Sequence, residues 1–533
     1  MPCRILILCF YRKFIDYLLG TRIFELKSEI VKIAAGRLCS LILLPGLVFA
    51  ANSQVYAEDS ASSETPAAES APASSWWPQP SSWWPDDPWF PKLLGLQFNG
   101  VYQNMPPFHS PYEGPHSLAP DRRHIDFTQT YGIYLGSQLT RNLQAYVDTE
   151  MFRGDGISYG LGAGGYVNGD VIRAGSSNLP KLPYVARAYL RYYCPLSSET
   201  GKTEPGACEP GQGTVPDRPR SSGTENVERC MDQIPGEQPV SRWEIKIGKL
   251  ALTDDFDQNR YADNNRTQFM NYDFLFNTAW DYASDTRGYS FEALAALYQP
   301  TWRLLFAIAN EPNTQNGANY DWFDKWSDMV RELGYNLEFD FKPNDLGTVV
   351  RLLSYFNEGR MGGYGAALAL AEVTRTTPNI LLVEGVGGTK YGFGLNFEQP
   401  LANDGETGIF GRLGWNDAHH ETWCYTESDR HASLGLQISG VNWKRPDDRV
   451  GIAYGVNGLS NLHQEYLAEG GLGMLLGDGR LDYGYEQVLE IYYRIQLCSW
   501  LAISPDFQII QNPGYNSDRG PVEVYGVRVR VSY

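Results

Sequence analysis

Arginines, acids and tyrosines recur in this chain at spacings that set them side by side. Arg187 and Arg191 stand four residues apart, with Tyr189 between them and Tyr193 just beyond. Residues two apart on an extended backbone share a face, so these four form one row. Asp148 and Glu150 make a similar acidic pair. TDDFDQN, residues 253–259, adds Asp254, Asp255 and Asp257, and Arg266 follows. Arg351, Arg412, Arg494, Arg528 and Arg530 each fall on the polar face of an alternating segment. Guanidinium and carboxylate groups engage paired hydroxyls through charge-assisted hydrogen bonds, and a flat aromatic ring stacks on an apolar C–H face. The set suits weak, repeated contact with a hydroxylated solute. For any single arginine the plainer role is an ion pair that knits the polar face together.

Other chemistries fit less well. GLGAGG, residues 160–165, satisfies the dinucleotide spacing, but YVNGD follows it where a helix should open. A glycine-rich turn is the better reading. In TDDFDQN a calcium loop would need Gly at its sixth place and Glu at its twelfth, where Arg260 and Arg266 stand. Asp148 with Glu150 gives carboxylates about 6–7 Å apart on a strand, a spacing that overlaps glycoside hydrolysis. Acids on a polar strand face are expected in any case. No H-E-x-x-H, G-x-S-x-G or phosphate-binding loop occurs. The chain is read as non-enzymatic, without cofactor or metal.

The elements that carry these residues are strands. In NLQAYVDTEMF, 142–152, Leu143, Ala145, Val147, Thr149 and Met151 oppose Gln144, Tyr146, Asp148 and Glu150. YNLEFDF (335–341), KYGFGLNFEQ (390–399) and VLEIYYRIQL (488–497) alternate in the same way. Similar segments lie near 94–104, 130–139, 183–193, 242–251, 287–298, 301–310, 347–357, 407–416, 431–442, 449–457, 499–510 and 523–533, which makes sixteen. One face is aliphatic and aromatic on strand after strand. The other mixes Arg with acids, glycines, Tyr, Gln and Asn. Apolar out and polar in, at about ten residues per strand, is the pattern of a closed barrel in lipid. The expected fold is all-β, a transmembrane antiparallel β-barrel of sixteen strands over residues 93–533. EVYGVRVRVSY at the C-terminus reads as its closing strand, with Arg528 and Arg530 inside and a final aromatic that barrel-assembly machinery would recognise.

The apolar run LCSLILLPGLVFAA, 38–51, follows Arg22, Lys27, Lys32 and Arg37 and precedes the small-x-small triplet Val55-Tyr56-Ala57. Residues 1–57 therefore read as a signal peptide with an N-terminal extension, cleaved after Ala57. Residues 58–92, rich in Ser, Ala and Pro with SSWWP twice, read as a leader too polar to order in full. Cleavage removes seven basic and three acidic residues from a chain of net charge −18, leaving it more acidic still. Nucleic-acid binding is excluded. Cys194, Cys208, Cys230, Cys424 and Cys498 would remain, an odd number, with the first three clustered and a disulfide open to them in an exported protein.

GKLALTDDFDQNRYADNNRTQFMNYDFLFNTAWDYASDTRGYSF, 248–291, resembles the carbohydrate-selective porin (OprB) family. DTEMFRGDGISYGLGAGGYVNGD, 148–170, and the terminus RGPVEVYGVRVRVSY are similar to it too. The resemblance implies a sixteen-stranded outer-membrane barrel for passive sugar uptake, with loops folded into the pore and arginines and acids at the constriction. Its partners would be sugars in transit, outer-membrane lipids and the barrel-assembly machinery. Within this reading Arg187, Tyr189 and Arg191 line the channel, and 248–266 folds toward its mouth. The alternatives are a barrel that exports exopolysaccharide and a soluble glycan-binding β protein.

Overall fold

A computed structural model describes residues 92–170, 182–196, 204–205, 223–227, 230, 233–321, 331–344 and 346–533. The expected signal peptide and nearly all of the leader lie outside the described residues. The chain divides into two units, Met1–Trp84 and Pro85–Tyr533, and the strands of the described residues belong to the second.

Its strands are β1 (Leu93–Asn104), β2 (Ile125–Thr140), β3 (Leu143–Arg153), β4 (Tyr184–Pro195), β5 (Glu204–Pro205), β6 (Thr224–Val227), β7 (Gly236–Pro239), β8 (Arg242–Leu250), β9 (Ser290–Gln299), β10 (Trp302–Asn310), β11 (Leu333–Phe341), β12 (Val349–Gly359), β13 (Gly388–Ala402), β14 (Thr407–Asn416), β15 (Arg430–Ser439), β16 (Arg449–Gly458), β17 (Glu486–Cys498), β18 (Leu501–Gln511) and β19 (Val522–Ser532). All except β5–β7 form one closed antiparallel barrel, each strand bonded to its neighbour in the chain order and β1 to β19. These are the sixteen alternating segments, with ends displaced by a few residues.

The C-terminal strand closes the ring as its pattern required. Gly100 pairs with Val529 and Asn99 with Arg530. The chain's last residue takes part as well, since Tyr533 and Leu96 exchange backbone hydrogen bonds of 2.9 and 3.0 Å. Closure satisfies the edges that an open sheet would leave unpaired.

Burial follows the alternation. On β11, Asn336, Glu338 and Asp340 are buried while Leu337 and Phe339 are exposed. On β3, Asp148 and Glu150 are buried and Val147 is exposed. A soluble protein would invert this, so the sheet's outer surface needs a lipid solvent.

The two rims differ. At the rim that holds both barrel termini, most connections are short, as at 141–142, 300–301 and 499–500. The exception is 196–241, between β4 and β8, which carries the small sheet β5-β6-β7. Cys230 in this connection is disulfide-bonded. Its Ile234 is buried with Leu93, Tyr146, Tyr189 and Leu250, so the connection reaches into that end of the barrel. At the opposite rim every connection is long except 417–429 and 512–521. Two of the long ones carry helices that the alternation of residues did not foreshadow, Tyr364–Thr374 and Asn461–Ala468.

Candidate functional site: the lumen and its inner segment

Residues 251–289, between β8 and β9, do not stay at the mouth. They run through the barrel interior, and most of them are buried and none is exposed. This differs from the expectation for 248–266, and the physical reason is hydrogen bonding. A segment whose regular structure is limited to the short 3-10 helices Leu252–Asp254 and Tyr272–Phe274 must satisfy most of its backbone groups some other way, and here the polar strand faces do so. Glu338 accepts from the Asp257 amide at 2.7 Å. Glu490 accepts from the amides of Met270 and Asn271 at 2.5 and 2.9 Å. Tyr355 donates to the Ala279 carbonyl at 2.8 Å.

Arg412 is the central clamp. It donates to the carbonyls of Phe274, Asp257 and Ala262 at 2.9, 3.0 and 2.6 Å. It also stands 3.0 Å from the Asp257 carboxylate. Asp257 in turn accepts from Asn396 at 2.7 Å and from the Asn277 amide at 2.6 Å. Arg528 does the same further along, donating to the carbonyls of Asn265 and Gln268 at 2.5 and 2.8 Å.

Glycines on the polar face have their explanation here. A Cβ at Gly414 would come within 1.8 Å of the Asn277 side chain, so at this point the inner segment approaches the wall because the wall has no side chain there. Gly162, in the GLGAGG stretch, has φ +87°, and a Cβ there would meet the Leu118 amide at 1.5 Å. That stretch is a tight turn packed into the lumen, and the Gly164 amide donates to Glu486 at 2.9 Å.

The residues singled out from sequence divide into two groups. Several are locked in buried pairs. Arg191 binds Glu244 at 2.8 Å, and Arg351 lies 3.2 Å from Glu398 and 3.5 Å from Asp340. Asp255 takes Lys246 at 2.6 Å. Asp148, Glu150, Asp257, Arg412 and Arg528 are also buried, and Tyr189 stacks on Tyr146 with centroids 4.9 Å apart. The knitting role describes these.

A second group keeps exposure inside the barrel. Arg187 makes two bonds of 2.6 Å to Asp254 and lies 3.5 Å from Asp148, with its guanidinium 5.2 Å from the Tyr289 ring centroid. Arg266 bridges Glu150 at 2.9 Å and Asp170 at 2.7 Å. The side chains of Arg187, Arg266 and Asp254 are 14%, 17% and 24% exposed. Arg494 and Arg530 are half-buried on the β17 and β19 walls.

Sequence reasoning did not name Asp170, Tyr134, Tyr289 or Glu490. Glu490 could have been found, since it sits on the polar face of an alternating strand. Asp170 and Tyr289 become partners only through the path of the inner segment. Among the described residues no group of three His, Cys, Asp or Glu side chains is arranged to hold a metal ion.

The model of the carbohydrate-selective porins, OprB family, matches residues 218–533. The chain belongs to that family. OprB of Pseudomonas putida shares the porin's fold at 12% identity and a TM-score of 0.57, over 83% of this chain and 94% of that one. The outer-membrane channel DcaP of Acinetobacter baumannii aligns at 9% identity and a TM-score of 0.44, over 83% and 96%. No curated protein matches the porin in sequence. The porin is thus a passive, carbohydrate-selective channel in a Gram-negative outer membrane. Short turns of such barrels face the periplasm and long loops the outside. The inner segment therefore enters from the extracellular side, and the connection 196–241 lies at the periplasmic mouth.

Proposed function

We propose that sugars cross this porin without turnover along the partly exposed surface formed by Arg187, Asp254 and Arg266. The observation that carries the reading is that these charges are paired. Arg187 sits between Asp254 and Asp148, and Arg266 between Glu150 and Asp170. A paired guanidinium and carboxylate still offer donors and acceptors to hydroxyls, but little net field to an ion. The buried Tyr289 ring lies beside the Arg187 guanidinium and holds it toward the lumen side of the pair. Each contact is worth on the order of 1 kcal/mol net, weak enough for the solute to leave.

The test is block of ion current by glucose in planar bilayers. Arg187→Ala is expected to weaken block roughly fivefold, the factor for about 1 kcal/mol. It should also shift selectivity toward cations, because Asp148 and Asp254 lose their counter-charge. Wild-type block and selectivity in an open channel of normal conductance would remove this surface from the sugar path. Lipid contact by the apolar exterior, assembly through the Tyr533 strand, and cleavage after Ala57 complete the proposal. Tyr533→Lys should lower membrane yield, and a normal yield would count against recognition of the terminal aromatic.

A further inference from the structure

The arginines on the inner wall are not all alike. Arg187, Arg191, Arg303, Arg351, Arg412 and Arg449 each stand beside a carboxylate. Among the described residues, three arginines on the nearby strands β17 and β19 have no carboxylate in ion-pair contact, although the charge of Glu406 bears on Arg494 and those of Asp506, Glu490 and Asp170 on Arg528. Arg494 reaches only the Gln496 side chain, and Arg530 only Gln97, at 3.1 Å. Arg528 bonds carbonyls of the inner segment and Ser504, at 3.2 Å. The Nε atoms of Arg494 and Arg530 are buried and make no hydrogen bond.

These groups are close together. The charges of Arg494, Arg266 and Arg528 all bear on Arg530. Arg494 and Arg530 flank β18, where Ala502 lies in register with Arg530 and Ser504 with Arg528. Strands two apart place their backbones about 10 Å from each other. Two guanidiniums can converge over the small side chains between them. Like charges crowded in a partly desolvated wall repel, and removing them from water is costly unless an opposite charge is near. The acid that bears on Arg494, Glu406, is already paired with Arg449. The two forked guanidiniums have the chemistry of an oxyanion site, and the neighbouring Gln97 and Gln496 oxygens orient them.

We propose that Arg494 and Arg530, held in place by the amide oxygens of Gln97 and Gln496, form a subsite for the carboxylate of an acidic sugar, placed on the periplasmic side of the inner segment. The inference rests on the reading of the lumen as a sugar path. A uronate would pass the paired surface by its hydroxyls and then place its carboxylate between the two unpaired guanidiniums. The attraction draws the solute past the constriction toward the periplasm, and the neutral surface upstream leaves its hydroxyls weakly held.

The experiment compares current block by glucose, sodium glucuronate and sodium acetate in wild type, in Arg494→Gln/Arg530→Gln and in Arg530→Gln. Conductance and heat-modifiable migration on gels establish that each barrel is closed and open to ions. The wild type is expected to bind glucuronate roughly tenfold more tightly than glucose, equivalent to about 1.4 kcal/mol. That ratio should fall to near parity in the double variant and to an intermediate value in the single one. A channel blocked by glucose, but no better by glucuronate, overturns the subsite alone. A preference that survives the double substitution overturns it too. Acetate blocking as strongly as glucuronate would make the site one for simple anions and overturn the sugar acid as its ligand. A channel that neither sugar blocks overturns the sugar path as well.

Discussion

The inner segment and the β17–β19 wall are neighbours in one lumen, yet their polar groups are used differently. In the inner segment, wall side chains meet backbone groups and acids at hydrogen-bond distance. Arg412 alone serves three carbonyls and a carboxylate. On the wall, Arg494 and Arg530 meet only amides. The first arrangement is structural, because every donor removed leaves buried acceptors unsatisfied. The second leaves guanidinium donors unused by the protein, the ones we propose a solute meets. The difference shows that arginine on a barrel's inner face does not have one role. What it touches decides whether it holds protein or meets the traffic.

The comparison breaks most visibly at Arg412. Arg412→Ala leaves Asp257 buried without its cation and strips three carbonyls, a loss of about 3–5 kcal/mol. The inner segment should detach from β14, raising conductance and open-channel noise and lowering the unfolding temperature. Quiet, wild-type single-channel traces would mean that the segment is held elsewhere. Glu490→Gln is milder, because the amide keeps one acceptor for Met270 and Asn271. About 0.5–1.5 kcal/mol is at stake in a lost hydrogen bond, and noise should rise without a change in mean conductance. A mean conductance that rises as far as in Arg412→Ala would contradict that ranking. Salt sharpens the contrast further. Going from about 0.1 M to 1 M shortens the screening length from about 10 Å to 3 Å. Selectivity due to Arg494 and Arg530 should fade across that range, while noise set by the buried clamps should not move. Noise that tracks salt would place the clamps in water.

Much of this architecture was legible in the alternation of residues. Period two gives the strands, and an apolar face opposite an Arg, acid and Gly face gives a barrel in lipid. The closing role of Val527, Val529 and Val531 follows from the same rule. Which arginines are locked was not legible. Arg412 and Arg494 look alike on their strands, and only the path of 251–289 separates them. That path depends on contacts between residues far apart in sequence, such as Asn271 with Gln508 at 3.0 Å. Nor did periodicity reveal the helix Tyr364–Thr374, whose run of Ala and Leu has no clear polar face, or the entry of Ile234 into the periplasmic mouth.

The smallest expected effect lies within the inner segment and concerns pH. Burial pushes the Asp263 carboxyl up to about 7 from 3.8. The Asn259 amide and the charges of Arg412 and Arg351 pull it down, and Glu398 pushes it up. One carboxylate oxygen accepts from the Asn259 amide at 3.3 Å, and the other makes no hydrogen bond. A carboxyl raised in the folded state holds a proton that the unfolded chain has released. Its contribution is fully present below 3.8 and is lost as pH rises through about 7. The turn around Asn259 should therefore loosen between about pH 6 and 8, seen as a few-fold rise in brief current interruptions. Asp263→Asn keeps the shape without the proton and should flatten that rise. Burial also raises Asp273, to about 7. It accepts from Asn457 at 2.7 Å, on the β16 side of the segment. A residual slope in Asp263→Asn that vanishes on adding Asp273→Asn would assign the remainder to that site. A full slope in the double variant would place the titration on the wall and not on the inner segment.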